Sequence, residues 1–360
     1  MSFSATHELR RRGQSLWLDC LSRPMLDTGQ IQHYIDTYSI TGLTSNPSIL
    51  GTAIEAGFYD EAIRAAATPC RSHEDVLVDL AIEDVRRAAD LFLPIHEHTD
   101  GVDGWVAFDV SPLLAYDTGA TIHAAKALYR RAARPNLLVG IPGTKEGLPA
   151  VTECVAAGIP VNVTLLFSAD HYRAAARAYL NGLQRRISAG RRPTVGSVAS
   201  VVMSRWDAAV ADRVPQQLKD QLALAVGLDI YRAYRRMLDS ETMQELQRHG
   251  AHPQRLVWAS SRTQDPAGSD TFYTHGLAAP LTISAMPEPT LEALYDHGEV
   301  GEPMPSDGGS CDVMLNRFAD VGVNVVYLAE RLQQKGAQDL VASWKKLLSQ
   351  VGLARTAQSC

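Results

Sequence analysis

Short apolar, β-branched runs recur along the chain, and stretches with a helical spacing of apolar positions separate most of them. Most runs are continuous rather than alternating, which is typical of parallel strands buried on both faces. Amphipathic stretches at 75–92, 121–133 and 169–187 predict helices between them. The predicted strands are 15–19, 42–45, 105–110, 136–141, 161–167, 197–203, 255–260 and 281–286.

Eight strands with intervening helices is the element count of a (β/α)8 or TIM barrel. A doubly wound α/β sheet is the alternative, but no G-x-G-x-x-G motif follows the first strand. We therefore predict that residues 1–300 form the barrel, with a short extra helix at the N-terminus. Residues 301–360 are predicted to be a Pro/Gly/Ser-containing linker and a C-terminal helical extension packed on the outside of the barrel.

Charge and cysteine content narrow the functional classes. The 34 basic and 40 acidic side chains leave a net charge of −6, which argues against a nucleic acid or an anionic membrane as partner. No apolar run approaches the ~20 residues needed to span a bilayer, and no secretory signal is visible, so a cytoplasmic location is expected. The 5 scattered cysteines fit neither a disulfide framework nor a zinc site. A homodimer is one oligomeric state that the sequence allows.

Polar or special residues stand at seven of the predicted strand ends. In a TIM barrel these carboxyl ends carry the chemistry, whereas the core needs only apolar side chains. The residues could satisfy one another inside the barrel, but their number favours a site. They are Asp19, Thr44, Ser45, Asn46, Asp109, Gly140, Asn162, Thr164, Ser200, Arg205, Ser260 and Arg262.

Sequence blocks over about residues 10–350 resemble the transaldolase family, in the same order along the chain. LWLDCLSRPMLDTGQ resembles the first-strand motif with its catalytic aspartate, and GLTSNPSIL resembles the T-[ST]-N-P segment. VNVTLLFS and VASVVMSRWD resemble later blocks, and the long C-terminal extension resembles the actinobacterial and cyanobacterial type. The resemblance implies a three-carbon ketol transfer between sugar phosphates, through a Schiff base on a fourth-strand lysine, without a cofactor or metal.

The resemblance also implies roles for individual residues. Asp19 matches the aspartate that acts as acid and base on the C4 hydroxyl, and Thr164 matches a threonine that assists proton transfer at the imine. The remaining matches bind substrate hydroxyls or the phosphate. These positions are Asn46, Asn162, Ser200, Arg205 and Arg262.

Two positions depart from the family pattern. Where the family reads [IV]-K-I-P-A-T this chain reads VGIPGT, so Gly140 replaces the Schiff-base lysine. Asp109 in FDVSP replaces a glutamate, which retracts the carboxyl by about 1.5 Å. Of the six lysines, only Lys145 is predicted to lie in a loop on the active face. A lysine introduced at position 140 is expected to restore at least trace imine formation.

Three functions follow from these departures and stay open. One is a divergent enzyme in which Asp19 and Asp109 perform non-covalent acid–base chemistry on a phosphorylated or carboxylated metabolite, by aldol-type cleavage, dehydration or cyclisation. Such an enzyme would suit a dedicated pathway of secondary metabolism. The second is a working transaldolase of the pentose phosphate pathway, using sedoheptulose 7-phosphate and glyceraldehyde 3-phosphate, in which Lys145 supplies the amine. The third is a catalytically dead ligand-binding or scaffold protein.

Overall fold

The computed structural model describes residues 4–66, 71–260 and 268–356. The eight predicted strands are all present, and they form a closed parallel barrel in chain order. The TIM-barrel prediction is therefore confirmed. The strands are β1 (Ser15–Asp19), β2 (Ile40–Thr44), β3 (Trp105–Asp109), β4 (Leu137–Pro142), β5 (Val161–Leu166), β6 (Ser197–Val202), β7 (Arg255–Ala259) and β8 (Thr282–Met286).

Strand β1 has the predicted bounds, and the other strands differ from theirs by one or two residues at one or both ends. The largest difference is in β2, which begins two residues earlier than predicted, at Ile40, and ends one residue earlier, at Thr44, before the start of the next helix. Asn46 is the N-cap of that helix, and its Oδ1 accepts a hydrogen bond of 3.0 Å from the backbone N–H of Ser48. Pro47 occupies the first helical turn, where its missing N–H costs nothing.

Helices connect the strands and extend the chain at both ends, as predicted. They are α1 (Ala5–Arg11), α2 (Arg23–Asp27), α3 (Gln30–Tyr38), α4 (Pro47–Glu55), α5 (Asp60–Ala66), α6 (His73–His98), α7 (Thr118–Ala132), α8 (Gly147–Ala157), α9 (Ala169–Ser188), α10 (Arg205–Val210), α11 (Leu222–Leu238), α12 (Glu241–Arg248), α13 (Phe272–Gly276), α14 (Glu288–Asp296), α15 (Cys311–Asp320) and α16 (Val325–Thr356). Among the described helices, none has the length and apolarity needed to cross a membrane.

The interior of the barrel is filled by a cluster of inward-facing side chains that includes Trp17 and Ala107. Gly42 makes room for this filling, because a Cβ on Gly42 would lie 2.6 Å from Cδ1 of Trp17. Side chains alternate along a strand, so residues two apart share a face. Asp19 and Asp109 therefore face inward, directly beyond Trp17 and Ala107, where the strands end.

The C-terminal helix α16 contacts both the carboxyl-terminal end of the barrel and the helices α4, α5 and α6 on its outside. The Nε2 of Gln333 donates to the carbonyl oxygens of Gly143, at 3.1 Å, and Leu165, at 2.9 Å, just beyond β4 and within β5. Farther along the helix, Trp344 and Leu347 pack into an apolar cluster with residues of α4, α5 and α6. The extension thus covers the end where a TIM barrel carries its chemistry. The division at residue 300 stays a prediction.

Candidate active site

Neighbouring strands bring three of the predicted site residues into one row. Asp109 pairs with Gly140 between β3 and β4, and Gly140 pairs with Asn162 between β4 and β5. Thr164 lies two residues beyond Asn162 and so faces the same way. A cavity of about 160 Å³ opens at this end of the barrel. Its lining includes Asp19, Asp109, Asn162, Thr164, Ser200 and Arg205.

Asp19 is held by two side chains that follow the neighbouring strand. Thr44 donates its hydroxyl to Oδ1 at 2.6 Å, and the Nδ2 of Asn46 lies 3.5 Å from Oδ2. Burial raises the pKa of the Asp19 carboxyl, and these two hydrogen bonds act against that rise. The carboxyl is therefore oriented as a hydrogen-bond acceptor within an enclosed cavity, which suits a group that takes up and returns a proton.

Asp109 is the second carboxyl of the cavity. Burial raises the pKa of Asp109 to about 7, and the charge of Asp19 acts in the same direction. Near neutral pH the side chain is thus present in both its protonated and its ionised form. Two enclosed carboxyls with different hydrogen-bond environments can divide the acid and base roles of one reaction.

The carboxyl of Asp109 occupies the space in which a side chain at position 140 would begin. A Cβ built on Gly140 overlaps Oδ1 of Asp109 and lies 2.5 Å from its Cγ and 2.9 Å from its Cα. No side chain fits at position 140 while Asp109 keeps this conformation. The conformation of Asp109 on β3 therefore depends on the glycine at position 140 on β4.

The polar wall opposite these carboxyls is built on β5 and β6. Ser200 donates its hydroxyl to Oδ1 of Asn162 at 2.7 Å, and both side chains are buried. This hydrogen bond fixes the orientation of the Asn162 amide and leaves its Nδ2 group as a hydrogen-bond donor. Arg205, at the start of α10, adds a half-buried guanidinium to the cavity, and its NH1 nitrogen lies 2.8 Å from Oδ2 of Asp339 on α16.

Two predicted site residues do not line this cavity, and a third is not among the described residues. Lys145 is exposed in the turn before α8 and is not part of the cavity lining. Asn46 reaches Asp19 but lines an adjoining apolar crevice together with Trp344. Arg262 lies outside the described residues. These three roles stay predictions.

Sequence reasoning missed the contribution of α16. Gly336 and Leu340 line the cavity, and Asp339 binds Arg205. A Cβ on Gly336 would lie 3.0 Å from Cδ2 of Leu165 and 3.7 Å from NH1 of Arg205, so the glycine permits close contact with the barrel. A glycine inside an otherwise helical pattern was the one available signal, since such a glycine often has a packing reason.

The described cysteines are reduced, and the described residues form no metal site. Cys20, Cys154 and Cys311 are buried free thiols, and Cys70 and Cys360 lie outside these ranges. Within the same ranges no group of three or more His, Cys, Asp or Glu side chains is arranged to hold a metal ion.

Comparison with known proteins places this chain in a family. Residues 16–351 match the family model described as Transaldolase/Fructose-6-phosphate aldolase. The chain belongs to this family. A transaldolase of Kocuria rhizophila is 40% identical over 359 residues, which cover 97% of this chain and 98% of that protein.

Other actinobacterial members of the transaldolase family align over a similar length. A transaldolase of Acidothermus cellulolyticus is 39% identical over 353 residues, covering 96% of this chain and 95% of that protein. A transaldolase of Thermobifida fusca is 39% identical over 358 residues, covering 97% of each chain. The likeness to transaldolases inferred from the sequence blocks is therefore confirmed over nearly the whole chain.

Within this transaldolase-family barrel, both glycines of the VGIPGT segment lie where neighbouring atoms leave no room for a side chain. Gly140 accommodates Asp109, as described above. A Cβ on Gly143 would overlap Cδ2 of Leu166 and lie 3.1 Å from the carbonyl oxygen of Thr164. Both glycines therefore match the neighbouring side chains, which indicates that the segment and its surroundings are adapted to each other.

Proposed function

We propose that this protein is an enzyme that makes or breaks a carbon–carbon bond of a phosphorylated keto sugar by aldol chemistry. Membership of the transaldolase family supports the reaction class. The cavity supports the substrate class, since it combines two carboxyls, the Asn162–Ser200 pair for hydroxyl groups and the guanidinium of Arg205 for an anion. A phosphate suits the guanidinium because it accepts charge-assisted hydrogen bonds.

In this proposal Asp109 acts at the carbonyl, where the family uses an imine. The protonated carboxyl of Asp109 donates its proton to the carbonyl oxygen, while Asp19 takes the proton of the C4 hydroxyl. The C3–C4 bond breaks, its electron pair forms the C2–C3 double bond of an enediol, and C4 leaves as an aldehyde. Return of the two protons completes the cycle. No amine takes part in these steps.

One observation carries this proposal: the carboxyl of Asp109 stands over Gly140, the position matched to the family's lysine. Asp109 is thereby placed beside the strand from which the lysine would reach the carbonyl carbon. Its raised pKa keeps a proton available near neutral pH. A group with these two properties can polarise the carbonyl without a covalent intermediate.

A second candidate is the transaldolase reaction itself, with Lys145 forming the imine. The names of the relatives at about 40% identity favour this reaction. The amine would have to come from the exposed turn that follows β4, so the turn would need to fold inward over the cavity. The two candidates share substrate and bond change, and they differ in whether a covalent adduct forms.

Reduction with borohydride separates these two candidates. We expect the wild-type protein to cleave fructose 6-phosphate, with glyceraldehyde 3-phosphate detected by a coupled dehydrogenase. We expect borohydride treatment in the presence of the sugar to leave the protein mass unchanged, because no imine is available to be reduced. Mass spectrometry of the intact protein and of its peptides measures the adduct.

Lys145→Met is the matched variant, and a lysine-bearing transaldolase is the positive control for trapping. Cleavage that persists within about twofold in Lys145→Met supports the acid–base route, because an imine-forming amine contributes far more than that. An adduct at Lys145, together with an inactive Lys145→Met, supports the second candidate instead. Failure to cleave fructose 6-phosphate or to transfer its ketol unit to an aldehyde phosphate contradicts both.

The state of Asp109 predicts a pH dependence. As an acid it must begin protonated, so kcat/KM is expected to fall as the pH rises through about 7, the pKa of Asp109. The same shift acts on stability. The folded carboxyl keeps a proton that the unfolded chain has released, so the free energy of unfolding falls as the pH rises from the ordinary carboxyl range towards 7. The slope reaches at most about 1.4 kcal/mol per pH unit.

Urea denaturation of wild-type protein and Asp109→Asn at several pH values checks the stability part. The difference between their free energies of unfolding should change in favour of the variant as the pH rises over this range. A difference that is independent of pH would show that Asp109 titrates normally. A kcat/KM profile without a descending limb near neutral pH would remove Asp109 from the acid role.

A further inference from the structure

The guanidinium expected to bind the substrate anion is already paired within the protein. NH1 of Arg205 lies 2.8 Å from Oδ2 of Asp339, and Nζ of Lys335 lies 2.8 Å from Oδ1 of the same carboxylate. Each oxygen of Asp339 therefore holds one cation. About a third of the Arg205 and Asp339 side chains is exposed, at 33% and 38%, so the ion pair is in contact with solvent, and Arg205 also lines the cavity.

The helix that carries Asp339 is fastened to the barrel on either side of this contact. Gln333 binds the carbonyl oxygens of Gly143 and Leu165, and Trp344 is buried farther along. Gly336 lets the helix approach Arg205 closely between these points. The position of Asp339 is thus set by packing of α16 rather than by its ion pair alone.

The ion pair between Arg205 and Asp339 affects anion binding because the cavity lining has little positive charge. Among the described residues that line the cavity, Arg205 is the single cationic side chain, whereas Asp19 and Asp109 are acidic. A phosphate dianion needs positive charge, and Asp339 already offsets that of Arg205. An incoming anion must therefore share the guanidinium with a fixed carboxylate or displace it.

We propose that Asp339 competes with the substrate's anionic group for Arg205 and so sets the affinity of the anion-binding end of the cavity, and that Lys335 moderates this competition. The inference rests on the proposed function, since it concerns the same anion-binding end of the cavity. When an anion binds Arg205, the Asp339 carboxylate is released towards Lys335. The competition lowers the affinity for every anion at Arg205, and a sugar phosphate regains part of this loss through hydroxyl contacts at Asn162.

Calorimetric binding of fructose 6-phosphate and of inorganic phosphate tests this competition. We expect Asp339→Asn to bind both ligands about fivefold more tightly than the wild type, because a like charge next to the bound anion is removed at a half-exposed site. We expect Lys335→Met to bind fructose 6-phosphate about threefold more weakly. Without the ion pair to Lys335, the Asp339 carboxylate interacts more strongly with Arg205 and is harder for the substrate to displace. Opposite signs at two neighbouring positions identify competition.

Two variants on the same helix serve as charge-matched controls. Glu330→Gln removes one negative charge at a residue that contacts His171, and Lys345→Met removes one positive charge at an exposed position. Neither is expected to change binding by more than about 1.5-fold. A role of Asp339 in merely holding α16 would lower the melting temperature and weaken binding in Asp339→Asn, which overturns the proposal.

The outcomes also separate this inference from the proposed function. If the wild type binds fructose 6-phosphate and Asp339→Asn binds it equally or less tightly, the competition is overturned while the proposed function stands. If neither the wild type nor any variant binds fructose 6-phosphate or phosphate, the proposed function and the inference fail together. Equally tighter binding in Asp339→Asn and Glu330→Gln would show that the loss of any negative charge on α16 has this effect, and the specific role of Asp339 would be overturned.

Discussion

Gly140→Ala is expected to lower kcat/KM for fructose 6-phosphate cleavage by about a hundredfold, the typical effect of misplacing a reacting group by about 1 Å. The new methyl group overlaps Oδ1 of Asp109 and lies 2.9 Å from its Cα, so the carboxyl must rotate away. Binding of the sugar phosphate should change far less, because Arg205 is at the start of α10 and the Asn162–Ser200 pair is on β5 and β6. Coupled assays for cleavage and calorimetry for binding measure the two effects.

The matched control for this change is Gly119→Ala, which adds a methyl group at an exposed position of α7 where the nearest atom, Oδ1 of Asp117, is 3.6 Å away. It should leave cleavage unchanged. Full activity in Gly140→Ala would show that the position of the Asp109 carboxyl does not matter for the reaction, and the acid–base route would then be wrong.

The same geometry alters the expectation for a restored lysine. Gly140→Lys alone places its first side-chain carbon on the carboxyl of Asp109, so it should form little or no imine. Gly140→Lys combined with Asp109→Ala removes the overlap with the carboxyl and leaves only the 2.9 Å contact with Cα of residue 109, which a small shift of the strands relieves. Borohydride trapping is expected to give an adduct in the double variant. An adduct in the single variant at the level of the double variant would show that the Asp109 side chain readily moves away from position 140.

Asp19→Asn is expected to reduce kcat of the same cleavage by about a thousandfold, within the range that general acid–base groups contribute. Asparagine keeps the shape of the side chain, but it can accept only one of the two hydrogen bonds that Thr44 and Asn46 donate, and it cannot accept the C4 hydroxyl proton. The burial that raises the pKa of Asp19 disfavours its ionised form, so the variant should be at least as stable as the wild type above neutral pH. Thermal unfolding and steady-state kinetics together measure this.

Thr44→Val provides the comparison for Asp19. It removes the 2.6 Å hydrogen bond that stabilises the ionised carboxylate and leaves the carboxyl itself in place. We expect a loss of about tenfold in kcat and a further rise in the pKa of Asp19, since the bond lowers that pKa. If Asp19→Asn retained cleavage comparable with Thr44→Val, Asp19 would not be the base.

Most of the barrel could be predicted because parallel strands buried on both faces read as continuous apolar runs. Asp19 and Asp109 were identifiable because polar residues at strand ends are not needed for the core. Their relation to Gly140 was not, since the overlap depends on the side-chain conformation of a residue on another strand. The exposed position of Lys145 likewise follows from the path of the turn after β4.

The amino-acid sequence by itself determined the barrel, the family, the two cavity carboxyls and the absence of a lysine in the fourth strand. Those properties depend on periodicity and residue identity within short segments. Only the tertiary structure decided that Asp109 fills the space over Gly140 and that α16 brings Asp339 to Arg205. Both are contacts between segments distant along the chain, and their geometry comes from strand register and helix packing rather than from any local pattern.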